Sequence, residues 1–318
     1  MEAIMATRFG GPDVLEPVEL PTPEPAAGQL RVAVAFAGAG WLDTLIRRGD
    51  GPAAFPVHPP YVPGGAVAGT VTAVGPGVAE DWLGARVVTR APGGGYADTV
   101  LADAGFTFRV PDGLALPRAL AVLDDGSTAA ALLEKTPVSR GDNVLVVPGV
   151  GGLGSLLVQL ARAEGAAVIA AVRGPEKVAL AEELGVRAVD YANADWTGQV
   201  PGPDVVFDGV GGPLGAAALA LLRDGGRFSG YGMSSGAQTA LTAADRRRLT
   251  VTDMSQLPEF WPDTPRRVRQ VLAETAAGRL TPVVGRIYPL REAAVAHEDI
   301  ERRQVTGKIL LRTGAADS

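Results

Sequence analysis

The chain has no cysteine and only two histidines, His58 and His297, among its 318 residues. Disulfides, thiolate nucleophiles and cysteine-ligated zinc are thereby excluded, and no dedicated metal site is expected. Positive charge is also scarce. Lys and Arg number 29 against 35 Asp and Glu, a formal net charge of -6, which is the wrong balance for a nucleic-acid binder that must neutralise phosphates. Basic runs are local, at Arg246, Arg247 and Arg248 and at Arg266, Arg267 and Arg269; they read as solvated helix faces or as contacts for a phosphorylated substrate or carrier. The amino terminus, "MEAIMATRFGGPDVLE", lacks the apolar core of a signal peptide and reads as a strand and a turn. A cytoplasmic protein is expected.

What the chain does have is length for two cores, since 47% of its residues are apolar. Its most telling stretch is a run of nineteen residues without charge, Asn143 to Ala161. That is close to the ~20 needed to span a bilayer, but Pro148 and Gly149, Gly151, Gly152 and Gly154 sit near its middle. A helix through them would lose a hydrogen bond at the proline and ~1 kcal/mol at each glycine. The run must therefore break. "NVLVV" has the β-branched composition of a strand buried on both faces, and "SLLVQLARAEG" has helical spacing with a stop at Gly165. Between them, Gly149-Val150-Gly151-Gly152-Leu153-Gly154 spells GxGxxG. Glycines there permit a tight turn and close approach of backbone to a pyrophosphate, while the helix start offers N–H groups and the positive end of its dipole. A second strand, "AAVIAAV", and a second helix, "EKVALAEELG", complete a βαβ unit, the context that turns a weak motif into a dinucleotide site.

The end of the second strand chooses the nucleotide. An NAD site closes that strand with an acid for the ribose hydroxyls, whereas this chain has Val172-Arg173-Gly174, a cation suited to a 2'-phosphate. Lys177 can face the same region from the next helix, and Tyr191 follows the third apolar segment, "VRAVDY". NADPH is the expected cofactor. Further on, "PDVVFDGVGG", "PLGAAALALLRDGG" and "RFSGYGMSSG" continue the βα alternation, and Val210, Gly211, Tyr231, Gly232 and Met233 lie at strand ends where ligands bind in open parallel sheets. Asp208 is either a turn cap or a ligand contact. The first 118 residues differ, with short alternating strands such as "QLRVAVAFAG", many prolines and glycines, and little helix.

These stretches, with "FGGPDVLE", "PYVPGGAVAGTVTAVGPGV", "GGGYADTV", "VPDGL" and "AHEDIERRQVTGKILL", resemble the zinc-independent medium-chain dehydrogenases/reductases of the quinone oxidoreductase (zeta-crystallin-like) group over nearly the whole chain. The resemblance implies an α/β fold, with a GroES-like β-barrel-type domain at 1–118 completed by 258–318. A Rossmann doubly wound parallel-sheet domain at 119–257 would bind NADPH. Homodimers are implied as well. Cofactor contacts would fall on Trp41 to Leu45 (including Asp43), Thr128, the glycine turn, Lys177, Tyr191, Tyr231 to Ser234, and Lys308. The chain departs from the group's pattern at Gly40, where asparagine is usual, at Leu45 and Gly51 in place of tyrosines, at Ala66 in place of an acid, and at Ala85 in "GARV". A roomier, more apolar pocket is the expectation.

Without a metal to polarise a simple ketone, a conjugated acceptor is the easier substrate. Hydride transfer to a quinone or an α,β-unsaturated carbonyl needs orientation and a proton donor for oxygen. Thr128, Tyr61 and Tyr231 are the catalytic candidates. Gly40, Trp41, Leu45, His58 and Tyr96 are the substrate-side candidates. The alternatives are a reductase of enoyl thioesters on coenzyme A or an acyl carrier, and a nucleotide-binding structural or regulatory protein with little catalysis.

Overall fold

The structure, a computed structural model, describes Met1–Asp317. In chain order the elements are β1 (Glu2–Ala6), β2 (Leu15–Glu19), β3 (Gln29–Ala39), α1 (Trp41–Arg48), β4 (Ala66–Val74), β5 (Arg86–Arg90), β6 (Thr99–Asp103), β7 (Thr107–Arg109) and α2 (Leu116–Lys135). Then come β8 (Asn143–Val147), α3 (Gly152–Ala163), β9 (Ala167–Val172), α4 (Pro175–Glu183), β10 (Arg187–Asp190), β11 (Val205–Asp208), α5 (Gly212–Ala220), β12 (Arg227–Gly230), α6 (Ala243–Arg248) and β13 (Thr250–Asp253). The chain closes with α7 (Thr264–Ala276), β14 (Val284–Pro289), α8 (Ala293–Glu301) and β15 (Lys308–Arg312). It divides into two compact units, Met1–Asp124 with Val268–Ser318 and Asp125–Arg267. The divisions fall inside α2 and α7, where the sequence offers no composition break, whereas the expected boundaries stood at 118 and 258.

The first unit is a mainly antiparallel sheet in the order β14-β15-β3-β4-β5-β7, with β6 also on β3. Its longest strand, β3, pairs with β4 through two register shifts, and such bulges bend a strand and let one sheet curl around its own core. Leu30, Val32 and Val34 point into that core and are fully buried, as are Val67 and Val87 on the neighbouring strands. The C-terminal strand β15 pairs antiparallel with β3, setting Ile309 opposite Ala39, so the two chain ends build one domain.

The second unit is a six-stranded sheet in the order β10-β9-β8-β11-β12-β13, parallel at every pairing. Renumbered within the unit this is 3-2-1-4-5-6, the doubly wound order, whose switch point lies between β8 and β11. The central strand explains its own apolar run, because Val144, Leu145, Val146 and Val147 are each at most 1% exposed, covered on both faces, and each such side chain contributes roughly 1.5–3 kcal/mol of burial. Among the described residues no helix is long and apolar enough to cross a membrane.

Candidate functional site

The glycine turn leaves β8 at the switch point, and each glycine is required for a different steric reason. A Cβ at Gly149 would lie 2.3 Å from the Ala170 Cβ on β9, and one at Gly154 would lie 2.1 Å from the Pro148 carbonyl oxygen. Gly149 lets the turn lie against β9, and Gly154 lets the start of α3 close on the end of β8. Gly151 has φ +145°, a region open to glycine alone, and a Cβ there would meet nothing within 4 Å. It is the open lip of the turn and the N-cap of α3, with no side chain to cap the helix. Gly151, Gly152 and Leu153 are partly exposed, whereas Val150 is only 4% exposed and packs inward. The arrangement suits an anion held by main-chain N–H groups at a helix start.

At the next strand end, Arg173 is exposed, and Gly174 takes φ +88° with open space where a Cβ would be. The turn is tied down by Asp190, whose Oδ1 accepts from the N–H groups of Gly174 (3.0 Å) and Ala192 (2.9 Å). These hydrogen bonds, and then the charge of Arg173, hold the Asp190 carboxyl below the usual range. Tyr191 follows, its N–H donating to the Val172 carbonyl at 2.9 Å. Arg173, Lys177 and Tyr191 thus belong to one cluster of turns at the ends of β9 and β10, and all but Arg173 are partly buried. Asp190 carries no local signal for this role, because its partner Gly174 lies sixteen residues away on another turn.

Across the switch point, Asp208 closes β11 as a fully buried turn cap. Its Oδ1 accepts from the N–H groups of Val210 and Gly211, both at 2.9 Å, and its Oδ2 accepts from the Thr239 hydroxyl at 2.5 Å. The N–H groups of Val210 and Gly211 are therefore committed to Asp208, which removes them as ligand donors. The Tyr231 ring lies on Gly209, where an added Cβ would come within 2.6–2.7 Å of three ring and hydroxyl atoms. Burial, with Asp208 and Asp125 nearby, pushes its phenol well up. The loops after β11 and β12 are joined by the Ser234 N–H to the Gly209 carbonyl and the Ser235 N–H to the Val210 carbonyl. Gly232, Met233 and Ser234 are half-buried there, and Thr128 is half-buried on α2.

In the first unit, the substrate-side candidates separate into two groups. Gly40, Trp41 and Leu45 are half-buried at the start of α1, with the Gly40 N–H donating to the Asp43 Oδ2 at 2.8 Å. Burial raises the Asp43 carboxyl to about 6, against the pull of Gly40 and Lys308. Lys308 runs past Gly38, 3.5 Å from where a Cβ would stand. The Tyr61 hydroxyl is buried without a hydrogen-bond partner, and burial followed by the Asp43 charge pushes it up to about 12. His58 is exposed on the proline-rich loop.

Tyr96 does not fit a substrate contact. It is fully buried, with its hydroxyl 2.8 Å from the His297 Nε2. His297 Nδ1 faces the Arg47 Nη1 at 3.5 Å, and Arg47, itself fully buried, donates through Nη2 to the Glu301 Oε1 at 2.5 Å. A guanidinium cannot accept, so Nδ1 carries the lone pair and Nε2–H donates to Tyr96; the contacts assign the tautomer. The chain's departures also yield less space than expected. Ala66 is only 6% exposed, and a Cβ at Gly51 would sit 2.8 Å from the Ile46 side chain. Both are packed against protein.

Comparison with known proteins agrees with this architecture. Residues 26–112 match the family described as "Alcohol dehydrogenase GroES-like domain", and residues 184–311 match that described as "Zinc-binding dehydrogenase". A probable quinone oxidoreductase of Schizosaccharomyces pombe is 33% identical, covering 97% of this chain and 96% of the relative. The chain belongs to the quinone oxidoreductase group of the medium-chain dehydrogenases/reductases. A second member, the 2-haloacrylate reductase of a Burkholderia species, is 32% identical across 97% of this chain and 98% of its own. A mycobacterial protein solved in complex with NADPH is 34% identical with a TM-score of 0.88, over 98% of this chain and 99% of that one.

One of the matching families has zinc in its description, and the residues of this quinone oxidoreductase relative do not fit a zinc ion. There is no cysteine, and His297 is turned inward between Tyr96 and Arg47. Among the described residues no three His, Asp or Glu side chains gather as a set able to hold a metal.

Proposed function

We propose that the protein is an NADPH-dependent oxidoreductase that passes hydride to a quinone or an α,β-unsaturated carbonyl without a metal. The observation that carries this reading is the glycine turn at the switch point of a 3-2-1-4-5-6 sheet, with a cation, Arg173, exposed at the neighbouring strand end. The turn fits the coenzyme because Gly151, the N-cap of α3, leaves open space where a side chain would stand. Gly151, Gly152 and Leu153 would hold the pyrophosphate, and Arg173 with Lys177 the 2'-phosphate. A carboxylate there would repel that phosphate, and Asp190, at the end of β10, is turned to the main chain.

Bound NADPH supplies the hydride from its nicotinamide ring. The protein's part is to orient the acceptor and to hold a proton for the oxygen that gains charge. Tyr61 and Tyr231 both have phenols pushed above their ordinary value by burial, so each keeps its proton and can offer it as a hydrogen bond. Thr128 is the third donor in the proposal. Relatives with the words quinone oxidoreductase and 2-haloacrylate reductase in their names support a conjugated acceptor.

The basic clusters that favoured a carrier-bound thioester are partly engaged within the protein, and the enoyl-thioester reading stays as the alternative. Arg266 and Arg267 both pair with Glu134, Arg246 pairs with Asp253, and Arg248 pairs with Asp245. The test is to follow NADPH oxidation against a panel of quinones, cyclic enones and enoyl thioesters, and to repeat it with NADH. Turnover with quinones or enones and a preference for NADPH is expected; no turnover with any conjugated acceptor would leave only the nucleotide-binding, non-catalytic reading. We also read the protein as a cytoplasmic homodimer, a reading suited by the open edge of the parallel sheet at β13; light scattering on the purified protein checks its mass.

A further inference from the structure

We infer that Asp190 is a positioning residue for coenzyme choice: it ties the turn that carries Arg173 to the turn after β10, and so fixes the cation that receives the 2'-phosphate. This rests on the reading of Arg173 as that cation. β9 and β10 run parallel, and their last paired residues are Val172 and Asp190. The Tyr191 N–H still reaches the Val172 carbonyl at 2.9 Å, after which a single side-chain oxygen joins the two chains. Asp190 Oδ1 accepts from the Gly174 N–H on one turn at 3.0 Å and from the Ala192 N–H on the other at 2.9 Å. Gly174 is the least constrained point of the first turn, with φ +88° and nothing within 4 Å of an added Cβ. It is also the N-cap of α4, without a side-chain cap of its own. The bond from Gly174 therefore holds the main chain next to Arg173 and the start of the helix that carries Lys177.

Arg173 is exposed, so packing does not fix its place, and the main chain from which it projects must do so. A phosphate that binds a loose turn has to order that main chain as well as the arginine side chain, and ordering one residue's backbone costs about tenfold in affinity. A turn already held spares the coenzyme that cost. NADH has no 2'-phosphate and gains nothing from the order, so Asp190 acts on the difference between the two coenzymes. The hydrogen bonds from Gly174 and Ala192, ahead of the Arg173 charge, lower the Asp190 carboxyl. It is ionised at neutral pH, which strengthens both bonds. Asparagine would keep an oxygen able to accept both N–H groups and lose only the charge, whereas alanine would lose the acceptor itself.

The test is calorimetric titration of the full-length protein and its D190A, D190N, R173A and R173A/D190A variants with NADPH and with NADH, each variant first shown to be folded by its thermal unfolding. D190A should bind NADPH about tenfold more weakly and NADH unchanged, so the preference ratio falls by that factor. D190N should keep the wild-type ratio, the rescue expected if the accepting oxygen matters and the charge does not. With Arg173 already removed, D190A should lower the ratio no further, because the two residues act through one contact. Equal weakening of both coenzymes in D190A would overturn the inference, since Asp190 would then serve only the fold. A ratio unchanged in D190A would also overturn it, as would a ratio moved in D190N as far as in D190A, or a tenfold effect of D190A that persists without Arg173. A wild-type protein that binds both coenzymes without preferring NADPH, or an R173A variant that keeps the preference, would instead remove the reading of Arg173, and the inference with it.

Discussion

Acid should weaken this protein through His297, by an amount that the buried contacts allow one to work out. Burial first, and the Arg47 charge second, lower its imidazole from 6.5 to about 3. The folded chain therefore stays neutral there while the unfolded chain takes up a proton as pH falls below 6.5. Between those values the unfolded state binds more protons, so stability is lost as pH falls. The loss amounts to about 2 kcal/mol at about pH 5 and about 4 kcal/mol at about pH 3. Asp43 works in the opposite sense. Its carboxyl is raised from 3.8 to about 6, so in that window the folded state holds the extra proton and gains stability as pH falls. A His297→Gln variant keeps Asp43 and every other carboxyl but removes the imidazole. Urea unfolding of both proteins, followed by the fluorescence of Trp41 and Trp82 in the same unit, gives the difference directly. That difference should be smaller at about pH 5 than at about pH 7.5 by about 2 kcal/mol. A difference that does not change with pH would refute the assignment of a neutral imidazole to the folded state.

Three further outcomes are expected. Arg173→Asp combined with Lys177→Ala should lower the preference for NADPH over NADH by about 10–100-fold, the worth of one or two charge-assisted contacts to a phosphate, as measured from the two dissociation constants. In Gly154→Ala the new methyl would stand 2.1 Å from a main-chain oxygen, which no rotamer can relieve, so a cost of about 2–3 kcal/mol in unfolding and loss of coenzyme binding should appear together. Asp208→Asn replaces a carboxylate that accepts three buried or half-buried donors, and one of its acceptor positions becomes an N–H; a loss of about 2–3 kcal/mol should be read as a lower melting temperature.

Much of the fold was legible because two different periodicities run through the chain. The uncharged stretch around Pro148 resolved into β8, the turn and α3 by local rules alone, since Pro148 and Gly151, at φ +145°, cannot carry a helix through the middle of the run, and α3 starts only at Gly152. The apolar strands with helical segments between them gave the parallel sheet, and the alternating β-branched segments before residue 118 gave the antiparallel one. Glycine positions were legible but their reasons were not. Gly149 answers to the neighbouring strand β9, Gly154 to the closing of α3 on the end of β8, Gly151 to an open lip, and Gly152 to the Asp125 carboxylate on α2. Val210 and Gly211, expected to cradle a ligand, were spent on Asp208. Tyr96, expected near a substrate, went to His297, more than two hundred residues away in sequence.

What the sequence determined by itself was therefore everything set by neighbours along the chain: the strands and helices, the glycine turn, the cation at Arg173, and the lack of thiol ligands. Tertiary structure alone decided which polar side chains remained for chemistry. A buried donor or acceptor must find a partner, and for Asp208, Asp190, Tyr96, His297 and Arg47 those partners lie on other turns and strands that no local pattern specifies.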